Sequence, residues 1–206
     1  MKRCIWLSLL ALCLLLTACS PFSRPATPDP SEASAPPAAE DPAPALSEPA
    51  APQPLLMERL TVEVVVTWEE ADRILAELEE LSGLLDRALR EKECIVEEPI
   101  RITISTAGGI TAGALAEGGV DAAFLPAVDY IAFEDRAKAV LMTDEEPCAG
   151  VAAVTLTQEE GFPGLLADAL LDTEAGAEFL SLCYPEASYV PVQEQALAAV
   201  REQPAE

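Results

Sequence analysis

The chain contains no histidine. That removes the commonest general base near neutral pH and the commonest zinc ligand. Its cysteines never fall at Cys-x-x-Cys spacing, so no zinc set is written into them. Nor is there a Gly-x-Ser-x-Gly elbow or a glycine-rich phosphate loop ending in lysine. Without a nucleophile–base pair or a metal set, the sequence reads as a non-enzyme, and no cofactor or metal is expected. Basic residues are also scarce: 12 Lys and Arg stand against 36 Asp and Glu, a net charge of −24. A chain this acidic repels nucleic-acid backbones and anionic lipid surfaces. It also disfavours long-range capture of anions, so an anion site would need local hydrogen-bond donors working against the overall field.

The N-terminus is what the chain has instead. Lys2 and Arg3 precede an almost unbroken apolar run over residues 5–16, and Leu-Thr-Ala-Cys follows at residues 16–19. The run is too short to span a bilayer comfortably, and the small residues Thr17 and Ala18 suit a signal peptidase. The pattern is that of a lipobox. Residues 1–18 are expected to be removed as a signal peptide and Cys19 to carry lipid, tethering the chain to the extracytoplasmic face of a membrane. The mature chain then has 10 basic and 36 acidic residues, a net charge of −26. Cys4 and Cys13 leave with the signal, while Cys94, Cys148 and Cys183 remain. One pair could form a disulfide outside the cytoplasm, or all three could be buried thiols; spacing leaves both open.

Residues 20–56 hold eleven prolines among Ala, Ser, Glu and Asp. Such a composition cannot bury enough apolar surface to offset ordering entropy, and residues 19–56 read as a lipidated cysteine followed by a disordered stalk. Residues 57–206 are long enough for one domain with a real core.

Strand and helix patterns alternate within that domain. Residues 60–66 are apolar and β-branched, and Thr67 to Glu70 reads as a capping box opening a helix that runs to about Glu91. A strand over 100–104 leads to a short helix, capped by Ser105 or Thr106, that ends at Gly118 and Gly119. Residues 120–125 are a strand, apolar except for Asp121 and fit for burial on both faces, followed by helical turns over 127–133. Strands over 139–142 and 151–156 come next. A second capping box over 157–160 precedes a helix broken near Asp172 and Thr173. A strand over 189–192 and a terminal helix over 194–202 end the domain.

This alternation predicts an α/β lobe of three layers around a mainly parallel sheet with right-handed crossovers. In such sheets ligands sit beyond the carboxyl ends of the strands, where helix N-termini present free N–H groups. Three loops fall there. Thr67 and Trp68 supply a hydroxyl and an aromatic wall. Ser105, Thr106, Ala107 and Gly108, with Gly109, offer hydroxyls and close backbone approach to an oxyanion. Pro126 and Tyr130 complete the set, Tyr130 donating its hydroxyl. Each also has a plain structural role, as cap, turn or sheet-edge packing.

Several stretches together resemble the phosphonate/phosphite-binding family of solute receptors that serve ABC transporters. They are LTVEVV over 60–65, ITISTA over 102–107 and, most sharply, GALAEGGVDAAFLPAVDY over 113–130. LLDTEAGAEFL over 170–180 and YVPV over 189–192 resemble that family's closing helices and last strand. The resemblance implies a lobe like that of a type II periplasmic binding protein, a phosphonate- or phosphite-like anion as ligand, and ABC permease subunits as partners. Asp121 falls in the matching stretch, with a turn role. The chain departs from the family in passing from residues 151–156 almost directly to the closing helices. A second lobe, its Ser/Thr-rich anion grip and its amine-holding acids are missing, which puts closure around ligand in question. The alternative is a surface lipoprotein whose single lobe serves as an interaction module.

Overall fold

A computed structural model describes residues 53–202; the lipobox, Cys19 and most of the proline-rich stretch lie outside the described residues. The elements are β1 (Leu55–Met57), β2 (Thr61–Val65), α1 (Trp68–Ala76), α2 (Leu78–Glu91), β3 (Cys94–Val96), β4 (Arg101–Ser105), α3 (Gly108–Ala116), β5 (Ala122–Pro126), α4 (Ala127–Ile131), β6 (Ala137–Thr143), β7 (Gly150–Thr155), α5 (Phe162–Asp172), α6 (Glu174–Cys183), β8 (Tyr189–Pro191) and α7 (Glu194–Arg201). No helix among the described residues is long and apolar enough to cross a membrane.

The α/β lobe is present, with a six-stranded sheet in the order β4-β2-β5-β7-β6-β8. β4, β2 and β5 pair in parallel, joined by helical crossovers as the alternation requires. The other half of the sheet is antiparallel, so the sheet is mixed. The reason lies in the connection: only residues 144–149 separate β6 from β7, too few for a crossover, so β7 turns back and inserts between β5 and β6.

Two cores enclose the sheet, and alternation along the strands divides side chains between them. Val62, Val64, Phe124, Ala152 and Val154 face a layer made by α1, α2, α5 and α6. Ala123, Leu125, Val151 and Ala153 face α3, α4 and α7. β5 is apolar throughout because both of its faces are covered, as expected of residues 120–125.

Three local expectations need correction. The first long helix divides at Glu77, whose N–H bonds to the Ile74 carbonyl three residues back, so α1 and α2 are separate segments. The second capping box is unused: Thr157 sits in a turn after β7, and α5 begins only at Phe162, with Pro163 supplying a pre-set φ in its first turn. And the described chain is already a strand at Leu55, where β1 pairs in parallel with β3, ahead of the expected domain start at 57. The break near Thr173 is found where expected. The Thr173 hydroxyl donates to the Ala169 carbonyl and accepts from Gly176 N–H, closing α5 and opening α6 in one residue. A Cβ on Gly176 would lie 2.6 Å from Leu170 Cα, so glycine lets α6 fold back onto α5.

Candidate functional site

The carboxyl ends of β2, β5 and β6 open into a cup of about 600 Å³. Val65, Leu125 and Pro126 form its apolar floor, Thr143 and Gly150 its far wall, and the loop between α6 and β8 its rim. The first turns of α1 contribute Glu70 and Arg73. This is the end of the sheet at which the parallel pattern placed a site.

Beneath the cup lies an aromatic cluster. Tyr184 and Tyr189 line it with ring centroids 5.9 Å apart, and Phe124 packs on both, 6.2 and 6.1 Å away. The Tyr184 hydroxyl donates to the Val65 carbonyl at 2.8 Å, fixing the α6–β8 loop to the end of β2. The Tyr189 hydroxyl has no hydrogen-bond partner among the described residues. Burial pushes both phenols above their ordinary value, so each stays protonated and offers a donor rather than a charge.

The charged groups of the lining are unequal. Glu70, Glu145 and Glu186 face one cation, Arg73. Arg73 is anchored through one N–H, its guanidinium donating to the Leu182 carbonyl at 2.6 Å, and keeps its charge. Glu70 is held as well, because its carboxylate accepts from the Thr67 hydroxyl at 2.8 Å and the Thr67 N–H at 3.1 Å, the expected capping box. The hydroxyl bond, then the backbone bond, holds the Glu70 carboxyl below its usual range. Glu145 and Glu186 have neither hydrogen-bond nor ion-pair partners among the described residues. Thr143 anchors the β6–β7 turn by accepting from the N–H groups of Ala149 and Gly150.

Of the eight sequence-derived ligand positions, Thr67 and Pro126 line the cup. Trp68, beside Thr67, projects away from it and is 79% exposed. Ser105 is occupied locally, its hydroxyl accepting from Ala107 N–H, and α3 starts at Gly108 with Ala107 as a cap that has no side-chain bond. Thr106 is exposed on the same turn. Gly108 has a structural reason: a Cβ there would collide with the Asp129 carboxylate and lie 3.0 Å from Pro126 Cδ. The N-terminal end of α3, expected to attract an oxyanion, therefore already has the chain's own carboxylate packed against it.

Tyr130 is also placed elsewhere. It is 5% exposed, its hydroxyl accepting from Ala139 N–H at 3.1 Å and donating to the Ala137 carbonyl at 3.3 Å. The register of β6 on β7 shifts between Ala139 and Leu141, leaving Val140 as a bulged residue. Tyr130 thus satisfies backbone groups beside a β-bulge. Asp121 keeps its expected turn role, accepting from Thr61 N–H and the Gln158 amide.

Neither a family model nor a curated protein sequence matches the chain. Solved structures do. XAC2383 from Xanthomonas citri bound to chloride ion aligns with a TM-score of 0.52 at 9% identity, over 70% of this chain and 98% of that one. The same protein bound to ATP aligns with a TM-score of 0.50 at 9% identity, over 70% and 97%. The likeness is of fold alone. It takes in nearly all of the solved chain.

No group of three or more metal-ligating side chains gathers among the described residues. The three cysteines there are free and buried, which answers the disulfide question for Cys94, Cys148 and Cys183. Burial pushes the Cys94 thiol up to about 11 and the Cys183 thiol up to about 12, so both stay protonated.

The tyrosines and Glu145 escaped the sequence reading for a definable reason. Phe124, Phe179, Tyr184 and Tyr189 come from β5, α6, a loop and β8, with no shared spacing. Their only signal was collective: four of the chain's ten aromatics meet at one place.

Proposed function

We propose that the chain is a lipid-anchored, extracytoplasmic solute-binding component of an ABC uptake transporter, with the cup as its ligand site. The observation that carries the reading is a 600 Å³ cavity at the carboxyl ends of β2, β5 and β6. That volume lies within the range of about 300–1,000 Å³ typical of small-molecule sites, and the position is the one open α/β sheets use for ligands. Cys19 tethers the lobe to the membrane, the permease subunits are its protein partners, and nucleic acid is not among its ligands. A phosphonate- or phosphite-like anion follows from the sequence resemblance alone. XAC2383, described with chloride and with ATP, supports the general point that a lobe of this fold takes up small ligands.

The test is in cells. A photo-crosslinking residue placed at Ala187, on the cup's rim, should capture a permease subunit of an uptake transporter, and deleting that permease should abolish uptake of the solute the lobe binds. Cross-links only to non-transport proteins would overturn the reading.

One observation favours a second reading, the interaction module. Trp68, Ile110 and Val128 are 79, 74 and 63% exposed, and they stand in the first turns of α1, α3 and α4 at the same end of the sheet. Large apolar side chains grouped at one end suit contact with a protein surface. If Trp68→Ser abolishes a cross-linked partner while solute binding persists, the two surfaces are separate.

A further inference from the structure

We propose that the cup selects a small organic ammonium ion, held at its rim by Glu145 and Glu186 and packed against the rings of Tyr184 and Tyr189. The proposal rests on the cup being the ligand site, and it reverses the ligand charge that the sequence resemblance implies.

Three independent features of the lining converge on a cation. The first is which charges are available. Arg73, the one cation of the lining, is bound to the Leu182 carbonyl, and Glu70 is bound into the α1 cap. The charged groups left without partners among the described residues are the Glu145 and Glu186 carboxylates. The charged lining is three carboxylates, Glu70, Glu145 and Glu186, against one guanidinium, Arg73, so a charge entering the cup meets a net negative wall.

The second feature is the aromatic wall. Tyr184 and Tyr189 stand at the cup with centroids 5.9 Å apart and tilted by 53°. Ring faces attract an ammonium group through their quadrupole and repel an anion. Both phenols are kept neutral by burial, so the wall remains a π surface at physiological pH. The Tyr189 hydroxyl, unpartnered among the described residues, adds a polar contact for a ligand hydroxyl or carbonyl.

The third is what the structure does with its anion-attracting elements. Asp129 already lies against the first turn of α3, and the N–H groups of Ala149 and Gly150 are taken by Thr143. The Ser105 hydroxyl, expected to meet an oxyanion, is likewise turned to its own loop. The overall charge acts in the same direction, since a strongly acidic chain concentrates cations near its surface.

The probes are choline, ethylammonium and spermidine, set against methylphosphonate, phosphate and acetate. Binding to the full chain in nonionic detergent is followed by calorimetry and by thermal shift. At least one ammonium probe should bind, and binding should weaken as salt is raised. The paired substitution Glu145→Gln and Glu186→Gln should weaken it about tenfold, and Tyr189→Leu several-fold, while Tyr189→Phe keeps most of it. The Gln variants change no packing, so an unaltered melting temperature without ligand certifies the fold.

Binding of methylphosphonate with no ammonium binding would overturn the charge assignment and leave the solute-receptor reading standing. Ammonium binding unchanged in the paired Gln variant would overturn it too, by placing the ion elsewhere. A silent ammonium series overturns it as well, while the receptor reading is judged separately by the permease cross-link.

Discussion

Replacing Tyr130 by phenylalanine separates a structural tyrosine from a ligand contact. The hydroxyl is the only group removed, and the ring keeps its place in the core around Leu125, Ala127 and Val151. The loss strands the Ala139 N–H beside the Val140 bulge and takes the donor from the Ala137 carbonyl. An unsatisfied buried backbone group costs about 1–3 kcal/mol, and the site is only partly closed to water, which puts the expected loss near 1–2 kcal/mol. For a domain of this size each kcal/mol lowers the melting temperature by about 2–4 °C, so the variant should melt roughly 2–8 °C lower. Circular dichroism of the full chain in nonionic detergent reads this directly. An unchanged melting temperature together with lost solute binding would return Tyr130 to the ligand site.

Gly108→Ala should destabilise the lobe, because its Cβ meets the Asp129 carboxylate; pairing it with Asp129→Ala should recover much of the loss in thermal melts. Cys94 and Cys183 should resist iodoacetamide in the native protein at pH 8 and react fully in denaturant, because burial keeps both thiols protonated. The Glu70 carboxyl titrates lower when folded than when unfolded, so its cap stabilises above the unfolded value and that contribution disappears as pH falls through the folded one. Glu70→Gln should therefore reduce stability near pH 7 and shrink the gap to wild type as melts are taken to acid pH.

The parallel half of the fold was legible because its signals are local. β2 and β5 show apolar strand runs, β4 alternates Ile102 and Ile104 with Arg101 and Thr103, and Gly118 and Gly119 mark the turn between α3 and β5. The antiparallel half depends on a comparison no single window makes, namely that the β6–β7 connection is too short to cross over. β1 and β3 are three residues each, too short for a period, and exist because they pair with one another. The end of the sheet that carries the cup could be read from strand order, but its walls could not. Tyr130 and Ser105 carry the same hydroxyls whether they serve a ligand or the backbone, and only the bulge at Val140 and the turn at Ala107 decide between them. The contact of Asp129 with Gly108 spans two loops and leaves no mark in either.

If the cup binds the solute, blocking it must abolish binding. Ala149 is exposed on the wall, so Ala149→Trp fills the cavity without entering either core. Thermal shifts across a panel of amines, oxyanions, sugars and amino acids should identify a solute that raises the melting temperature of the wild type and leaves Ala149→Trp unmoved. A solute that stabilises both proteins equally, or a panel that stabilises neither, would overturn the assignment of the cup as the ligand site.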